Sequence, residues 1–343
     1  MTPSDTATSP ATKSAVVPLE VRNLVKHFPI MKGLLQRRAG AVRAVDGVSF
    51  AIPRGETLGL VGESGCGKST VAKAVMKLIE PTSGEIHIGG IDVTNLSARE
   101  MWPHRRHIQT VFQDPYSSLN PRLSAGEIVG EPLANFGLAT GAEEKARVAD
   151  LLARVGLRPE SAGRYVHEFS GGQRQRLGIA KAIAVNPQVI VADEPVSALD
   201  VSVQAQVLNL LIDLQDELGL TYLFISHDLA VVRHISHRVA VMYLGRIVEL
   251  TTRTELFTRP QHPYTEALLA AAPAPDPARK GAKRLILKGD VPSPANPPPG
   301  CRFHTRCPYA DAACKTIDPP LVEVSRDHYV ACLKRPARVD ITD

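Results

Sequence analysis

Apolar residues along this chain fall into two kinds of run. Alternating runs occur early, in Leu19-Glu20-Val21-Arg22 and Val48-Ser49-Phe50-Ala51-Ile52. A period of two puts one face of a strand on a core and the other in water, so these runs predict half-buried antiparallel strands. Continuous apolar runs of strand length follow in Thr57–Val61, Gln188–Ala192 and Thr221–Ile225. A run without a polar side suits a strand buried on both faces, as in a parallel sheet. Helical spacing marks Thr70–Met76 and the amphipathic stretch Val201–Leu218. The expected fold class is α/β: a parallel core, an antiparallel β layer and a helical insertion around residues 114–180.

The outer segments differ in composition. Residues 1–17 are rich in Ser, Thr, Ala and Pro, with no basic start leading into an apolar run, so they read as a disordered tail rather than a signal peptide. After about Leu256 the chain becomes proline-rich, in Pro273–Pro277 and Pro292–Gly300, and four cysteines follow. The expected layout is a domain over 18–255 and an extension over 256–343. No stretch approaches the roughly 18 apolar residues needed to span a bilayer, so a membrane role requires separate membrane subunits. A net charge of +5 is too mild to point to nucleic acid. Lys26, Lys32, Arg37, Arg38 and Arg43 gather around an expected early loop, and a solvated face accounts for them.

Candidate chemistry sharpens the picture. Gly62-Glu63-Ser64-Gly65-Cys66-Gly67-Lys68-Ser69-Thr70 lies between an apolar strand and a helix. In that context it is a phosphate loop. Its glycines let backbone N–H groups turn inward, and the helix offers its positive end. Lys68 is expected to reach the β- and γ-phosphates and Ser69 to ligate Mg²⁺. Val189–Ala192 ends in Asp193 and Glu194, which puts one carboxylate near the magnesium shell and the next where a general base could polarise water.

With these residues in view, the chain resembles the ATP-binding subunits of ABC transporters, a branch of the P-loop NTPases, over about residues 18–255. The resemblance implies further roles. Phe28 resembles the aromatic that stacks on adenine, against the plain alternative of a core phenylalanine. Gln113, in Val111-Phe112-Gln113-Asp114-Pro115, resembles the glutamine that joins the magnesium and water site to the helical insertion. Ser170-Gly171-Gly172-Gln173 resembles the signature loop that reaches the ATP of a second subunit, here after Phe169 where Leu is more usual. Asp200, in Ser197-Ala198-Leu199-Asp200, resembles the loop at which two ATPase subunits touch, and His227 the histidine that contacts the γ-phosphate.

Residues 259–269, Asn296–Cys301 and the run Pro195–Leu208 are similar to segments of dipeptide and oligopeptide importer ATPases, the last resembling the second of two unequal ATPase subunits. The resemblance therefore implies a paralogous ATPase partner, two transmembrane permease subunits and an extracytoplasmic peptide-binding protein, with the chain peripheral on the cytoplasmic face. Nickel or glutathione import by the same machinery is the nearest alternative, and a non-transport ABC ATPase a remote one. Cys301, Cys307, Cys314 and Cys332 are spaced C-x5-C-x6-C-x17-C, which matches neither common zinc spacing nor the ferredoxin runs. The resemblance implies a [4Fe–4S] cluster on them; zinc and free thiols are the alternatives. Cys66 reads as a small tolerated residue that could make the loop sensitive to thiol reagents.

Overall fold

The computed structural model describes residues 16–33, 37–271, 289–335 and 337. The proposed tail thus lies almost wholly outside the described residues, as does the proline run 273–277. In chain order the strands are β1 Leu19–Lys32, β2 Arg37–Ile52, β3 Thr57–Val61, β4 Ser83–Ile88, β5 Ile91–Asp92, β6 Ile108–Val111, β7 Val189–Asp193, β8 Thr221–Ile225, β9 Arg238–Tyr243, β10 Arg246–Thr252, β11 Val322–Ser325 and β12 His328–Val330. The helices are α1 Lys68–Val75, α2 Ala98–Met101, α3 Pro115–Ser118, α4 Ala125–Asn135, α5 Gly141–Arg154, α6 Gly171–Ile183, α7 Val201–Leu218, α8 Leu229–Ile235, α9 Arg253–Thr258 and α10 Pro263–Ala271.

Two sheets organise the molecule. An antiparallel sheet has the order β2-β1-β4-β5. The main sheet runs β11-β12-β10-β9-β3-β8-β7-β6, parallel from β9 to β6 and antiparallel through β10, β12 and β11. The continuous apolar runs form β3, β7 and β8, buried on both faces as such runs require. The amphipathic stretch forms α7 with the boundaries expected, closed by Gly219 in the left-handed conformation at its C-terminus.

The first hairpin departs from expectation. Alternation predicts short strands, yet β1 and β2 together run 30 residues. Register shifts at Val21/Leu24, Leu24/Val25, Lys26/His27 and Ile30/Met31 break the period of two, so the pattern ends before the pairing does. The basic residues Lys26, Lys32, Arg37, Arg38 and Arg43 accordingly lie on hairpin strands rather than on a loop.

The segment after 256 differs in composition, but the structure joins it to the core. β12 pairs with β10 and extends the main sheet. Its small apolar cluster, Leu256, Tyr264 and Phe303, packs with Tyr243 and Leu244 from the end of β9, with Cys301 and Cys307 at the margin.

Candidate functional site

The phosphate loop connects β3 to α1. Its shape depends on two close approaches. A Cβ at Gly62, φ +152°, would collide with the Met242 carbonyl oxygen, and one at Gly67, φ +111°, with that of Ala44. The loop is thus pressed against the β9–β10 turn, and Gly245 N–H donates to the Cys66 carbonyl at 2.8 Å. Among the described residues the amides of Ser64, Gly65 and Gly67 have no hydrogen-bond partner, and Ser64 and Gly65 are exposed. Such a row of unbonded amides is an anion-binding concavity.

Lys68 opens α1 and is buried. Its Nζ donates to the carbonyls of Gly62 at 2.8 Å and Glu63 at 3.2 Å. Cys66 is buried beneath the loop, and burial pushes its thiol above the ordinary range. A protonated, enclosed thiol is a poor nucleophile, so the expected sensitivity to thiol reagents finds no support in this geometry.

The carboxylates stand at the C-terminal end of β7, where open parallel sheets bind ligands. Ser69 Oγ donates to Asp193 Oδ1 at 3.2 Å. Burial raises the Asp193 carboxyl above its usual range; Ser69 opposes the shift and neighbouring Glu194 adds to it. A hydroxyl and a half-buried carboxylate, with only the ammonium groups of Lys73 and Lys68 nearby to lower it, fit a hard divalent cation. Glu194 itself adopts φ +50°, a region that a non-glycine residue rarely occupies. Its N–H donates to the Ile225 carbonyl at 2.9 Å, which ties the end of β7 to the end of β8. His227 follows two residues later, with Nδ1 lying 3.2 Å from Glu194 Oε1.

The remaining candidates stand elsewhere. Ser170 caps α6: its hydroxyl accepts from Gln173 N–H, and Gln173 Oε1 accepts from Ser170 N–H at 3.0 Å. Ser170, Gly171 and Gln173 are exposed, with Gly172 half-buried. Asp200 precedes α7 and is exposed, Gln113 is exposed just after β6, and Phe28 sits on β1 beneath the Lys26 ammonium, 5.0 Å from its ring centre. No hydrogen bond or ion pair among the described residues joins Phe28, Gln113, Ser170 or Asp200 to the phosphate loop.

The four late cysteines are all free. Burial pushes Cys301 up to about 11, and the thiols of Cys314, Cys332 and Cys307 add to the shift. Cys307 and Cys332 are raised for the same reasons. The Cys301 N–H donates to the Cys314 carbonyl at 2.9 Å, so these two cysteines lie side by side. Even so, no group of three or more His, Cys, Asp or Glu side chains among the described residues is placed to hold a metal ion.

Sequence reasoning missed a set of contacts from the extension. Arg306 forms a bidentate pair with Glu63, at 2.7 and 3.1 Å, and the Glu63 N–H donates to the Tyr264 hydroxyl oxygen at 2.9 Å. Arg302 pairs with Asp46 and donates to the Leu244 carbonyl. Burial works against it, but Arg302, His27 and Arg246 hold the Asp46 carboxyl below the usual range. Partners some 243 residues apart leave no spacing to read.

Comparison with known proteins gives the geometry a context. Residues 45–197 match the family model described as ABC transporter, and residues 248–314 the one described as oligopeptide/dipeptide transporter, C-terminal region. The chain is 56% identical over 318 residues to the oligopeptide transport ATP-binding protein AppF of Bacillus subtilis, covering 92% of this chain and 96% of that one. It is 58% identical to the probable peptide ABC transporter ATP-binding protein y4tS of Sinorhizobium fredii, covering 93% and 90%. Among solved structures, a dimeric post-hydrolysis state of the ATP-binding cassette MJ0796 bound to ADP and Pi superposes with a TM-score of 0.61 at 32% identity, covering 68% of this chain and 98% of that one. CbiO1 from Clostridium perfringens, part of the ABC transporter complex cbiONQ, gives 0.62 at 28% identity, covering 71% and 91%.

Proposed function

The chain belongs to the family of ABC transporter ATP-binding proteins, and we propose that it is the ATP-hydrolysing subunit of a peptide importer, working peripherally at the cytoplasmic face of the membrane. The observation that carries this reading is the meeting of Ser69 with Asp193 and of Glu194 with His227 beside an open phosphate loop. The extension that accompanies it matches the oligopeptide and dipeptide transporter region.

In this reading the glycine loop of residues 62–70 holds the triphosphate through the unbonded amides of Ser64, Gly65 and Gly67 and through Lys68, which exchanges its loop carbonyls for phosphate oxygens. Phe28 stacks on the base. Ser69 and Asp193 hold Mg²⁺, assisted by Gln113. When bound, the ion offsets phosphate charge as the γ-phosphoryl leaves. Glu194 accepts the proton of the attacking water, and its strained backbone keeps the carboxylate aimed out of the strand end. His227 steadies that carboxylate and meets the γ-phosphate.

Ser170, Gly171, Gly172, Gln173 and Asp200 serve a second subunit's nucleotide, which agrees with the exposure of Ser170, Gly171, Gln173 and Asp200. The partner is a paralogous ATPase. The assembly includes membrane permease subunits and a substrate-binding protein, with Gln113 and exposed Phe112 and Tyr116 carrying closure to the membrane.

The extension is read as holding a [4Fe–4S] cluster on Cys301, Cys307, Cys314 and Cys332. The backbone bond between Cys301 and Cys314 supports this; that no metal-binding group is placed among the described residues weighs against a single ion more than against a cluster, which spreads its four thiolates over separate irons. Protein purified without oxygen should then be brown and contain iron and sulfide; colourless protein from iron-replete cells would remove the cluster.

Reconstitution with permeases and binding protein tests the main reading. ATP hydrolysis should rise with loaded binding protein, and labelled peptide should accumulate. A complex that hydrolyses ATP and accumulates nickel or glutathione instead would overturn the peptide assignment.

A further inference from the structure

The phosphate loop contains a carboxylate, Glu63, one residue past its first glycine. An unpaired negative charge in this loop would repel a triphosphate held by it. The structure shows what answers that charge. Arg306, from the extension, grips both oxygens of Glu63, and its side chain is only 7% exposed. The Glu63 N–H is turned away from the loop's open side and donates to Tyr264, whose ring is fully buried.

These contacts belong to one rigid unit. Tyr243, Tyr264 and Phe303 pack in tilted and edge-to-face pairs with ring centres 4.7 to 5.4 Å apart. Phe303 lies between two arginines in sequence. Arg306 holds Glu63, and Arg302 holds the Leu244 carbonyl in the β9–β10 turn. The next residue of that turn, Gly245, donates to the Cys66 carbonyl. The segment 302–306 therefore grips the loop at two points, directly at Glu63 and through the β9–β10 turn at Cys66.

We infer that Arg306 is a positioning residue for ATP: it neutralises Glu63 and pins that carboxylate out of the phosphate space, so that the extension sets the affinity of the phosphate loop. The inference rests on the reading of this loop as the ATP site. Arg306 touches no reacting atom. Its loss frees a carboxylate next to Lys68, which already lies 3.2 Å from the Glu63 carbonyl.

The test is MgATP affinity, measured by titration of the full chain with parallel thermal melts without nucleotide. Arg306→Gln should weaken MgATP binding about tenfold, the scale of one charge-assisted hydrogen bond. Adding Glu63→Gln should restore most of that loss, because the repelling charge is gone. Arg306→Lys, which keeps charge without the fork, should fall between and provides the measurement if Arg306→Gln does not fold. Wild-type affinity in Arg306→Gln overturns the inference. So does a double variant as weak as Arg306→Gln, or a lowered melting midpoint with unchanged affinity. Lys68→Ala separates the premise: if the wild type binds MgATP no better than Lys68→Ala, the ATP-site reading itself fails.

Discussion

The two halves of the main sheet treat charge in opposite ways. At the ends of β3, β7 and β8, polar groups are left with work to do: open amides, a half-buried Asp193 whose carboxyl burial raises, and Glu194 on a strained backbone. On the far side, where β10 and β12 carry the extension, buried charge is answered by partners. Glu249 is fully buried, yet its carboxylate accepts from His328 Nε2 at 2.7 Å and from the N–H groups of Gln261 and His262 at 2.8 and 2.9 Å. One half holds electrostatic tension for a ligand to relieve, and the other uses paired charges to fix a loop-rich segment that has little apolar core.

The largest expected effect breaks the working half without touching the other. Glu194→Gln should lower ATP hydrolysis about a thousandfold while MgATP binding and melting behaviour persist, since only proton acceptance is removed. Phosphate release against nucleotide titration separates the two. Next, Glu249→Ala strikes the paired half. It strands His328 and two buried amides and should cost about 3 kcal/mol in denaturant unfolding. Retained MgATP affinity in the folded fraction would show the two halves to be separable.

A smaller effect sharpens the contrast. Asp193→Asn should abolish hydrolysis yet raise the melting midpoint of ligand-free protein. The Asp193 carboxyl is raised by burial, so its charged form costs stability, and that cost appears as pH rises through the raised value. Magnesium should stabilise the wild type and not the variant.

The smallest effect lies at the seam. Burial lowers His262 from 6.5 to about 4, and its neutral Nδ1 accepts from Tyr264 N–H at 3.1 Å. With the folded value depressed, the stability it carries is present above pH 6.5 and is lost as pH falls toward 4. Hydrogen exchange at the Tyr264 amide should quicken over that window and stay flat in His262→Asn.

Much of the working half is legible in sequence because its residues come in local patterns. A glycine loop between strand and helix, or two acids ending an apolar run, fixes chemistry within a few positions. The α/β class follows from the same apolar runs, and α7 from its helical period. The paired half leaves no such trace. Glu63 reads as a loop residue until Arg306 is seen against it, and nothing in the proline-rich composition after 256 tells that His328–Val330 will join a sheet begun at β3. The length of the first hairpin was hidden for another reason, since its bulges erase the alternation by which strands are recognised.

The placement of β12 has a consequence for synthesis. β10 leaves the ribosome with one edge unpaired and Glu249 without its histidine, and both must wait for a strand that emerges some 79 residues later. A nascent cassette that already contains its whole phosphate loop is then still an open-edged sheet, prone to join another chain. When β12 arrives it covers that side of β10 and brings His328 to Glu249, leaving the four-residue β11 as the outermost strand.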